Sequence, residues 1–193
     1  PLAKPETSAN CKSGVELTVP VDEGLIYKWD KAEWSGNTAL TAQQLTDLLG
    51  MQTGQPANGV KIDKASREIQ KAYARKGYLM SFVRSTPNFD DGAQTVVYRM
   101  EVREGPQFHM GQLITKGFPE AVDKKIHERW NLKPGDIFDD GYSGDFSKNQ
   151  LTELTRPLFL ERREQNKPAP HLKWDRNINR AALTVDLGLE LIN

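Results

Sequence analysis

Three histidines are the side chains of this sequence best suited to acid-base chemistry or to metal binding. They are widely separated, at His109, His127 and His171, with no histidine four residues away and no cysteine beside them. Zinc sites usually place paired ligands roughly two to five residues apart. The spacing therefore favours surface or half-buried histidines and predicts no metal site.

Four aspartates interspersed with glycines form the other group that could bind a cation. They are Asp136, Asp139, Asp140 and Asp145. Their spacing lacks the alternation of a calcium loop, so we expect a solvated loop that caps a helix. The pair Asp90 and Asp91 precedes Gly92, a combination typical of a turn rather than of carboxylates placed for acid-base catalysis.

Catalytic motifs are missing from the sequence as well. No segment matches the nucleophile elbow of hydrolases, a phosphate-binding loop or a zinc-protease helix. The one cysteine, Cys11, can form no disulfide within the chain. The sequence predicts a protein that is not an enzyme and needs no cofactor. Whether Cys11 pairs with a residue outside the chain is left open.

Composition argues against two other classes of protein. The 26 basic residues balance the 26 acidic ones, whereas nucleic-acid binding usually requires a basic surface. The tryptophans are therefore expected to pack in cores and at sheet edges rather than to stack on bases; they are Trp29, Trp34, Trp130 and Trp174. No apolar run is long enough to span a membrane or to act as a signal peptide, which favours an excised soluble piece.

An internal repeat organises the elements that position these residues. Three pairs of glycines share one constant offset in the sequence, which we call the repeat offset: Gly24 and Gly105, Gly36 and Gly117, Gly54 and Gly135. At the same offset, the segments 15–21 and 96–102 share an alternation of apolar and polar side chains, which is typical of a half-buried strand. A repeat of this length is expected to be a small domain with its own core.

The first copy has the pattern of a β-α-α-β-β unit. We predict a strand over 26–35, a short helix between Thr41 and Gly50, a longer helix that ends before Gly77, and strands over 78–84 and 94–103 joined by a turn at 87–92. The longer helix places Ile62, Ala65, Ile69, Ala72 and Tyr73 on one face. Its last turns carry cations, which suit the negative end of the helix dipole.

The second copy follows the same order but departs from it near its end. We predict a strand over 107–116, helices over 119–131 and from about 142, and strands near 171–174 and over 183–191, with a turn at 177–180. Pro157 is expected to interrupt the second helix, because proline lacks an amide donor and clashes with the preceding turn. Residues 161–170 are expected to form an insertion or loop.

These motifs, in this order, resemble the POTRA (polypeptide-transport-associated) domains of the BamA and TamA superfamily of outer-membrane assembly and secretion proteins. The matching features are the Glu-Gly junctions at 23–24 and 104–105, the Gly36-Asn37 pair, the leucine helix and loop that end at Gly54, and Tyr73 followed by Gly77 and Tyr78. Gly117 and Gly135 repeat part of the pattern, although Phe118 stands where asparagine is expected.

The resemblance implies an α+β fold in which two helices cover one face of each three-stranded mixed sheet. It implies an N-terminal tail and the last strand of a preceding unit at 1–23, a complete POTRA domain at 24–104, and a second, more divergent one at 105–193. It also implies a monomeric fragment at the periplasmic face of an outer membrane, with a β-barrel following in the full-length protein.

The resemblance further implies a non-catalytic docking region for unfolded outer-membrane or secreted polypeptides and for periplasmic accessory proteins. An open sheet edge can bind an extended chain through backbone hydrogen bonds, which tolerate many sequences. POTRA domains usually have their second strand at an edge, which nominates Tyr78, Leu79, Met80, Ser81, Phe82 and Val83. The alternatives are ordinary packing of these residues, an FtsQ-like division scaffold, or a two-partner secretion transporter.

The two junctions between repeats are the second candidate site. They comprise Glu23, Gly24 and Leu25, and Glu104, Gly105 and Pro106. Each joins the last strand of one unit to the first strand of the next almost without a linker, so we expect a hinge of restricted range. Proline fixes its own φ and favours extended backbone before it, so the second junction is predicted to be the stiffer one.

Overall fold

A computed structural model describes Pro20 and residues 24–192 of the chain. The predicted last strand of a preceding unit, together with Cys11 and Glu23, lies outside the described residues, so the domain predicted at 1–23 stays a prediction. Within 24–192, no helix has both the length and the apolar character that are needed to cross a membrane.

The first unit has the predicted β-α-α-β-β order. Its elements are β1 (Lys28–Ser35), α1 (Ala42–Leu49), α2 (Gly59–Ala74), β2 (Phe82–Asp90) and β3 (Thr95–Arg103). The sheet order is β1-β3-β2, with β3 parallel to β1 and antiparallel to β2. Thr41 and Gln44 form a capping box at the start of α1, and Gly50 ends that helix in the left-handed conformation.

The second unit repeats this arrangement. Its elements are β4 (His109–Lys116), α3 (Glu120–Arg129), α4 (Tyr142–Phe146), a π-helical turn (Ser147–Leu151), α5 (Thr152–Glu164), β5 (His171–Asn179) and β6 (Thr184–Ile192). The sheet order is β4-β6-β5, with β4 parallel to β6 and β5 antiparallel to it. The α+β class with two three-stranded mixed sheets is thus confirmed.

The repeated glycines are required by the backbone of both units. Their φ angles agree pair by pair: 64° and 71° at Gly24 and Gly105, 75° and 78° at Gly36 and Gly117, 85° and 90° at Gly54 and Gly135. A side chain at Gly36 would place its Cβ 2.2 Å from the carbonyl oxygen of Val102, and one at Gly117 would place it 2.3 Å from that of Leu191. Only glycine fits at these two sites.

The second unit is longer than the first, and the added residues all lie between its first and second strands. The first strands begin at Lys28 and His109, separated by the repeat offset, whereas the second strands begin at Phe82 and His171, which are farther apart. Most of the added length extends α5, so in the prediction of an insertion or loop over 161–170 the loop was wrong for 161–164. Helix α5 also continues through Pro157, which is exposed together with Glu153, where water can bond the carbonyl that proline leaves without a donor.

Several predicted strand limits were wrong. Strand β2 begins at Phe82 rather than Tyr78, because residues 78–81 form a turn in which the Ser81 amide donates to the Tyr78 carbonyl. Proline tolerates an edge strand, so β2 continues through Pro87 to Asp90 and its turn lies at 91–94. Likewise β5 continues to Asn179 and its turn lies at 180–183.

Each unit has its own hydrophobic core between its sheet and its helices. The first core includes Leu45, Leu49, Ile62, Ile69, Tyr73, Met100 and Val102. The second includes Phe108, Met110, Ile126, Trp130, Phe146, Leu151, Val185 and Leu187. Burial of alternate residues along the central strands β3 and β6 leaves the opposite face of each sheet to solvent.

Candidate functional site

The outer edge of β1 is covered along its first half by the loop before α2. The Trp29 amide donates to the Gln55 carbonyl (2.8 Å), the Gly54 amide donates to the Trp29 carbonyl (2.8 Å), and the Ala57 amide donates to the Tyr27 carbonyl (2.9 Å). The positive φ of Gly54 lets the loop turn along the strand. This part of the edge is therefore unable to pair with another chain.

The outer edge of β4 is covered in the same way. The Met110 amide donates to the Asp136 carbonyl (2.8 Å), the Gly135 amide donates to the Met110 carbonyl (2.8 Å), and the Phe138 amide donates to the Phe108 carbonyl (3.0 Å). Every one of these bonds repeats a bond of the first unit at the repeat offset. Gly54 and Gly135, which the sequence repeat singled out, thus help to cover the start of one edge of each sheet.

The opposite edges of the two sheets belong to β2 and β5. Strand β2 pairs with β3 without a bulge from Phe82 to Asp90, and β5 pairs with β6 without a bulge from His171 to Asn179. No backbone hydrogen bond from the described part of the chain reaches the other side of either strand. Each strand therefore presents unpaired amides and carbonyls along its outer side.

The two open edges are both nine residues long, but they differ in how far they run without a proline. Pro87 lies near the middle of β2 and lacks an amide hydrogen, and proline in a sheet is found where that missing donor would face outward. Strand β5 contains no proline over its nine residues. The longer uninterrupted edge is therefore in the second unit.

The structure divides the predicted edge residues between a turn and a strand. Phe82 and Val83 begin β2, whereas residues 78–81 precede it. Tyr78 packs on the first core, Leu79 packs on the second, and Met80 lies against Gly105. The assignment of the first four residues to an edge strand was wrong, because they join the two units instead.

The end of helix α2 and the turn that follows it are bonded by the second unit. The Phe108 amide donates to the Gly77 carbonyl (2.9 Å), and the Gln107 side-chain amide donates to the Lys76 carbonyl (3.0 Å). The Asp140 amide donates to the Ala74 carbonyl at 3.3 Å. The amides of residues 75–78 already bond the carbonyls of the last helical turn within the first unit, so the neighbouring unit chiefly adds donors to the turn that follows the helix.

An ion pair strengthens this contact. Arg75 donates through Nη1 to the carboxylate of Asp145 at 2.9 Å and lies 3.4 Å from Oδ2 of Asp139. The hydrogen bond from Arg75 holds the pKa of Asp145 below its usual value, and the same bond raises the pKa of Arg75. All three side chains are partly exposed, so the attraction is moderate and sensitive to salt.

Two glycines make room for the contact. At Gly77, with φ of 84°, a Cβ would lie 2.6 Å from the carbonyl oxygen of Phe108. At Gly141, a Cβ would lie 2.3 Å from the guanidinium carbon of Arg75. The sequence predicted Gly77 as a helix stop, whereas nothing local identified Gly141.

Glu104, predicted as a hinge residue, fixes the end of β3 to the loop after β1. Its carboxylate accepts hydrogen bonds from the backbone amides of Thr38 (2.6 Å) and Ala39 (2.8 Å) and from the Thr38 hydroxyl. Burial raises the pKa of Glu104, but these hydrogen bonds outweigh burial and lower it. Asn37 stabilises the same loop by donating to the Leu40 carbonyl at 2.9 Å.

Tyr73 lies beside this carboxylate in the first core. Its hydroxyl is buried and completes no hydrogen bond among the described residues. Burial, followed by the proximity of the Glu104 carboxylate, raises the pKa of Tyr73 well above its usual value. The tyrosine of the sequence motif is therefore a core residue that stays neutral.

The histidines and aspartates singled out by type serve as surface contacts and caps. His127 lies 3.0 Å from the Thr115 hydroxyl and 4.0 Å from Asp123. In the acidic loop, Asp139 accepts from the Gly141 amide at 2.8 Å, and Asp140 pairs with Arg176. Within residues 24–192, no three His, Cys, Asp or Glu side chains are grouped closely enough to hold a metal ion.

Comparison with known proteins identifies the first unit. Residues 27–105 match the POTRA family model, described as surface antigen variable number repeat. The chain is 27% identical over 145 residues to a putative outer membrane protein assembly factor of Treponema pallidum (strain Nichols). That alignment covers 75% of this chain and 16% of the relative, so the chain spans about a sixth of the relative's length.

Solved structures have the same fold. The chain superimposes with a TM-score of 0.53 on the crystal structure of POTRA domains 3 to 5 of BamA from Haemophilus influenzae, at 23% identity, covering 89% of this chain and 63% of that one. The TM-score is 0.56 for BamA from Haemophilus ducreyi lacking POTRA domains 1 to 3, at 14% identity, covering 86% of this chain and 29% of that one.

Proposed function

Residues 27–105 belong to the POTRA family and the second unit repeats their fold, and on this premise we propose that the chain is a non-catalytic docking region of an outer-membrane protein assembly or secretion factor. It binds extended polypeptide at an open sheet edge. The name of the Treponema relative supports assembly over cell division or secretion. A periplasmic location, a β-barrel and accessory proteins belong to the same proposal.

The open edge of β5 is the observation that carries this proposal. Its nine residues pair with β6 on one side only, without a bulge and without proline. An extended chain added there would gain backbone hydrogen bonds that depend little on its sequence. That tolerance suits a protein that handles many unfolded substrates.

Side chains of β5 give this edge its selectivity. Leu172, Trp174 and Ile178 pack on the second core, while the residues between them are mostly charged or polar and exposed. A bound strand would therefore extend the apolar inner face on one side and meet Lys173 and Asp175 on the other. Outer-membrane strands, which alternate apolar and polar residues, fit this pattern.

The edge of β2 is a second, shorter site in the same proposal. Phe82 and Val83 begin it, and Pro87 limits it to about one half of the strand. A chain bound there would gain fewer backbone hydrogen bonds than one bound along β5. We expect the second unit to contribute most of the affinity.

Titration with backbone-methylated peptides tests the proposal without altering the protein. Successive amides of an extended chain point in opposite directions, so only one alternate set bonds the edge strand. Starting from a peptide of alternating apolar and polar residues, we would methylate either the odd or the even amides and measure binding by calorimetry. Methylation of one set should abolish binding, and methylation of the other should leave the affinity within a few-fold of that of the parent peptide.

Two variants assign the binding to β5. Successive amides of β5 face opposite sides, so one of the two variants, Asp175→Pro or Arg176→Pro, removes an amide that faces outward. That variant should weaken peptide binding at least tenfold while its circular dichroism spectrum stays unchanged. Matched proline variants at Arg84 and Ser85 test β2. Equal loss with both methylated sets, or unchanged affinity in all folded proline variants, would exclude edge binding.

A further inference from the structure

The second unit contains a socket for the end of a helix. It is formed by Gln107, Phe108, Ile137 and Gly141, and it receives residues 74–77 of the first unit. Phe108 is buried there, and the side chain of Ile137 lies 3.1 Å from the position a Cβ would take at Gly77. The acids Asp139 and Asp145 flank the socket and hold Arg75.

The first unit carries the same socket, earlier in the chain by the repeat offset. The residues that correspond to Gln107, Phe108, Ile137 and Gly141 are Ile26, Tyr27, Pro56 and Val60. The backbone agrees: Lys28 bridges to Pro56 as His109 bridges to Ile137, and the Ala57 amide bonds the Tyr27 carbonyl as the Phe138 amide bonds that of Phe108. The counterpart socket thus has the same main-chain shape.

This first socket is apolar and exposed. Val60 is 77% and Ile26 is 75% exposed, the highest values among the large apolar side chains that the structure describes, and Leu25 beside them is 52% exposed. Single exposed apolar residues are ordinary, but a group of them at a position that forms an interface elsewhere in the chain points to a partner.

The replacements define the chemistry of that partner. Val60 fills the space that Gly141 leaves for a guanidinium, and Asn58 and Lys64 occupy the positions of the acids Asp139 and Asp145. An arginine in this socket would lose its carboxylates and meet a like charge. The partner must therefore present an apolar side chain at the end of its helix.

We infer that the first socket binds the C-terminal end of the long helix of another POTRA unit that lies upstream, with an apolar residue in the position of Arg75. A second copy of this chain does not fit, because its helix α2 ends in Arg75 and is already capped within the chain. The inference depends on the POTRA fold and is independent of polypeptide binding.

Cysteine accessibility tests the inference. With Cys11 replaced by serine, Val60→Cys provides a single thiol, and its labelling rate with a maleimide is measured in this chain and in the chain extended by its native upstream sequence. We expect labelling to slow at least tenfold in the extended protein. Ile114→Cys, exposed on the outer face of the second sheet, is the control and should label equally in both.

Three results would overturn the inference. Equal labelling of Val60→Cys in both proteins excludes an upstream partner, and labelling that slows with protein concentration identifies a second copy instead. In the extended protein, Val60→Asp should increase the radius of gyration in small-angle scattering, since a buried carboxylate would open the junction. An unchanged radius together with unchanged labelling would likewise contradict it.

Discussion

The inner faces of the two sheets are alike, whereas their outer faces differ. At the centre of the first sheet, Arg99 of β3 lies between Glu33 of β1 and Thr86 of β2. At the same place in the second sheet, Gly188 of β6 lies between Ile114 and Asp175, and a shallow groove lies where the first sheet carries the Arg99 side chain. Each outer face carries an ion pair: Lys31–Glu33 (2.8 Å) on the first and Lys173–Asp175 (3.1 Å) on the second.

This difference separates what the fold requires from what it leaves free. The repeated glycines and the buried residues of the central strands agree between the units, because each is fixed by backbone conformation or by packing. The outer faces and the edges of β2 and β5 bury little, so their residues can change without loss of the fold. We therefore expect the two units to respond alike to core changes and differently to surface changes.

The largest effect tests what the units share. Gly36→Ala and Gly117→Ala should each lower the free energy of unfolding by about 3 kcal/mol, because each adds a Cβ against a carbonyl oxygen and forces a strained φ. Chemical denaturation of the whole chain measures this loss. Gly54→Ala and Gly135→Ala are the controls. Their φ angles lie in the same region, but a Cβ there would have no atom within 4 Å, so each should lower the free energy of unfolding by only about 1 kcal/mol.

If Gly36→Ala cost no more than Gly54→Ala, the close approach at the end of β3 would be unimportant. A large cost in one unit alone would show that the glycines are not equivalent. Equal costs in both units would show that the fold requires both glycines, although the surface residues of the two units differ.

A smaller effect concerns the junction that the two units form together. Arg75→Ala removes the bonds to Asp139 and Asp145, which are partly exposed, so the loss should be about 1 kcal/mol or less. The clearer result is a broader distribution of inter-unit distances, measured by pulsed electron paramagnetic resonance. Arg103→Ala, which breaks an exposed pair within one unit, is the control. If the distribution is unchanged, the junction is held by the hydrogen bonds to the backbone carbonyls at the end of α2 and not by the ion pair.

Acid should remove a stabilising contribution of Glu104, which lies in the first unit. The pKa of Glu104 is lowered in the folded protein, so its contribution to stability is present above the unfolded pKa and is lost as the pH falls through the folded value. Between neutral pH and about pH 3, Glu104→Gln should therefore lose less thermal stability than the unaltered chain. Parallel melting curves of the two proteins across this range would contradict it.

The smallest effect concerns the two edges and depends on the proposed function. Pro87→Thr returns an amide to the middle of β2 and should raise the affinity of the first unit for an extended peptide by a few-fold. Asn88→Thr adds the same side chain next to it without adding an amide, and should change nothing. If both variants bind alike, the proline does not limit this edge.

The repeat and the fold class could be predicted from the sequence because they depend on local signals. Glycines at positive φ and apolar periodicity mark the units, and Thr41 and Gly50 mark the limits of α1. The turn at 78–81 could not be predicted, because its apolar residues run directly into β2 and no local signal shows that Leu79 packs on the core of the other unit. The pair Arg75 and Asp145 is separated by 70 residues, and no local pattern links them.

The junction after α2 has a consequence for the order in which the chain can fold. The Gln107 side chain that bonds the Lys76 carbonyl lies 31 residues later, and Asp145 lies 70 residues after Arg75. When the chain emerges from its N-terminal end, during synthesis or translocation, the Lys76 carbonyl and the Arg75 side chain lack these partners until the second unit has emerged and begun to fold. The first unit can complete its core and the last turn of α2 alone, but the turn that leads out of the helix is fixed only together with the neighbouring unit.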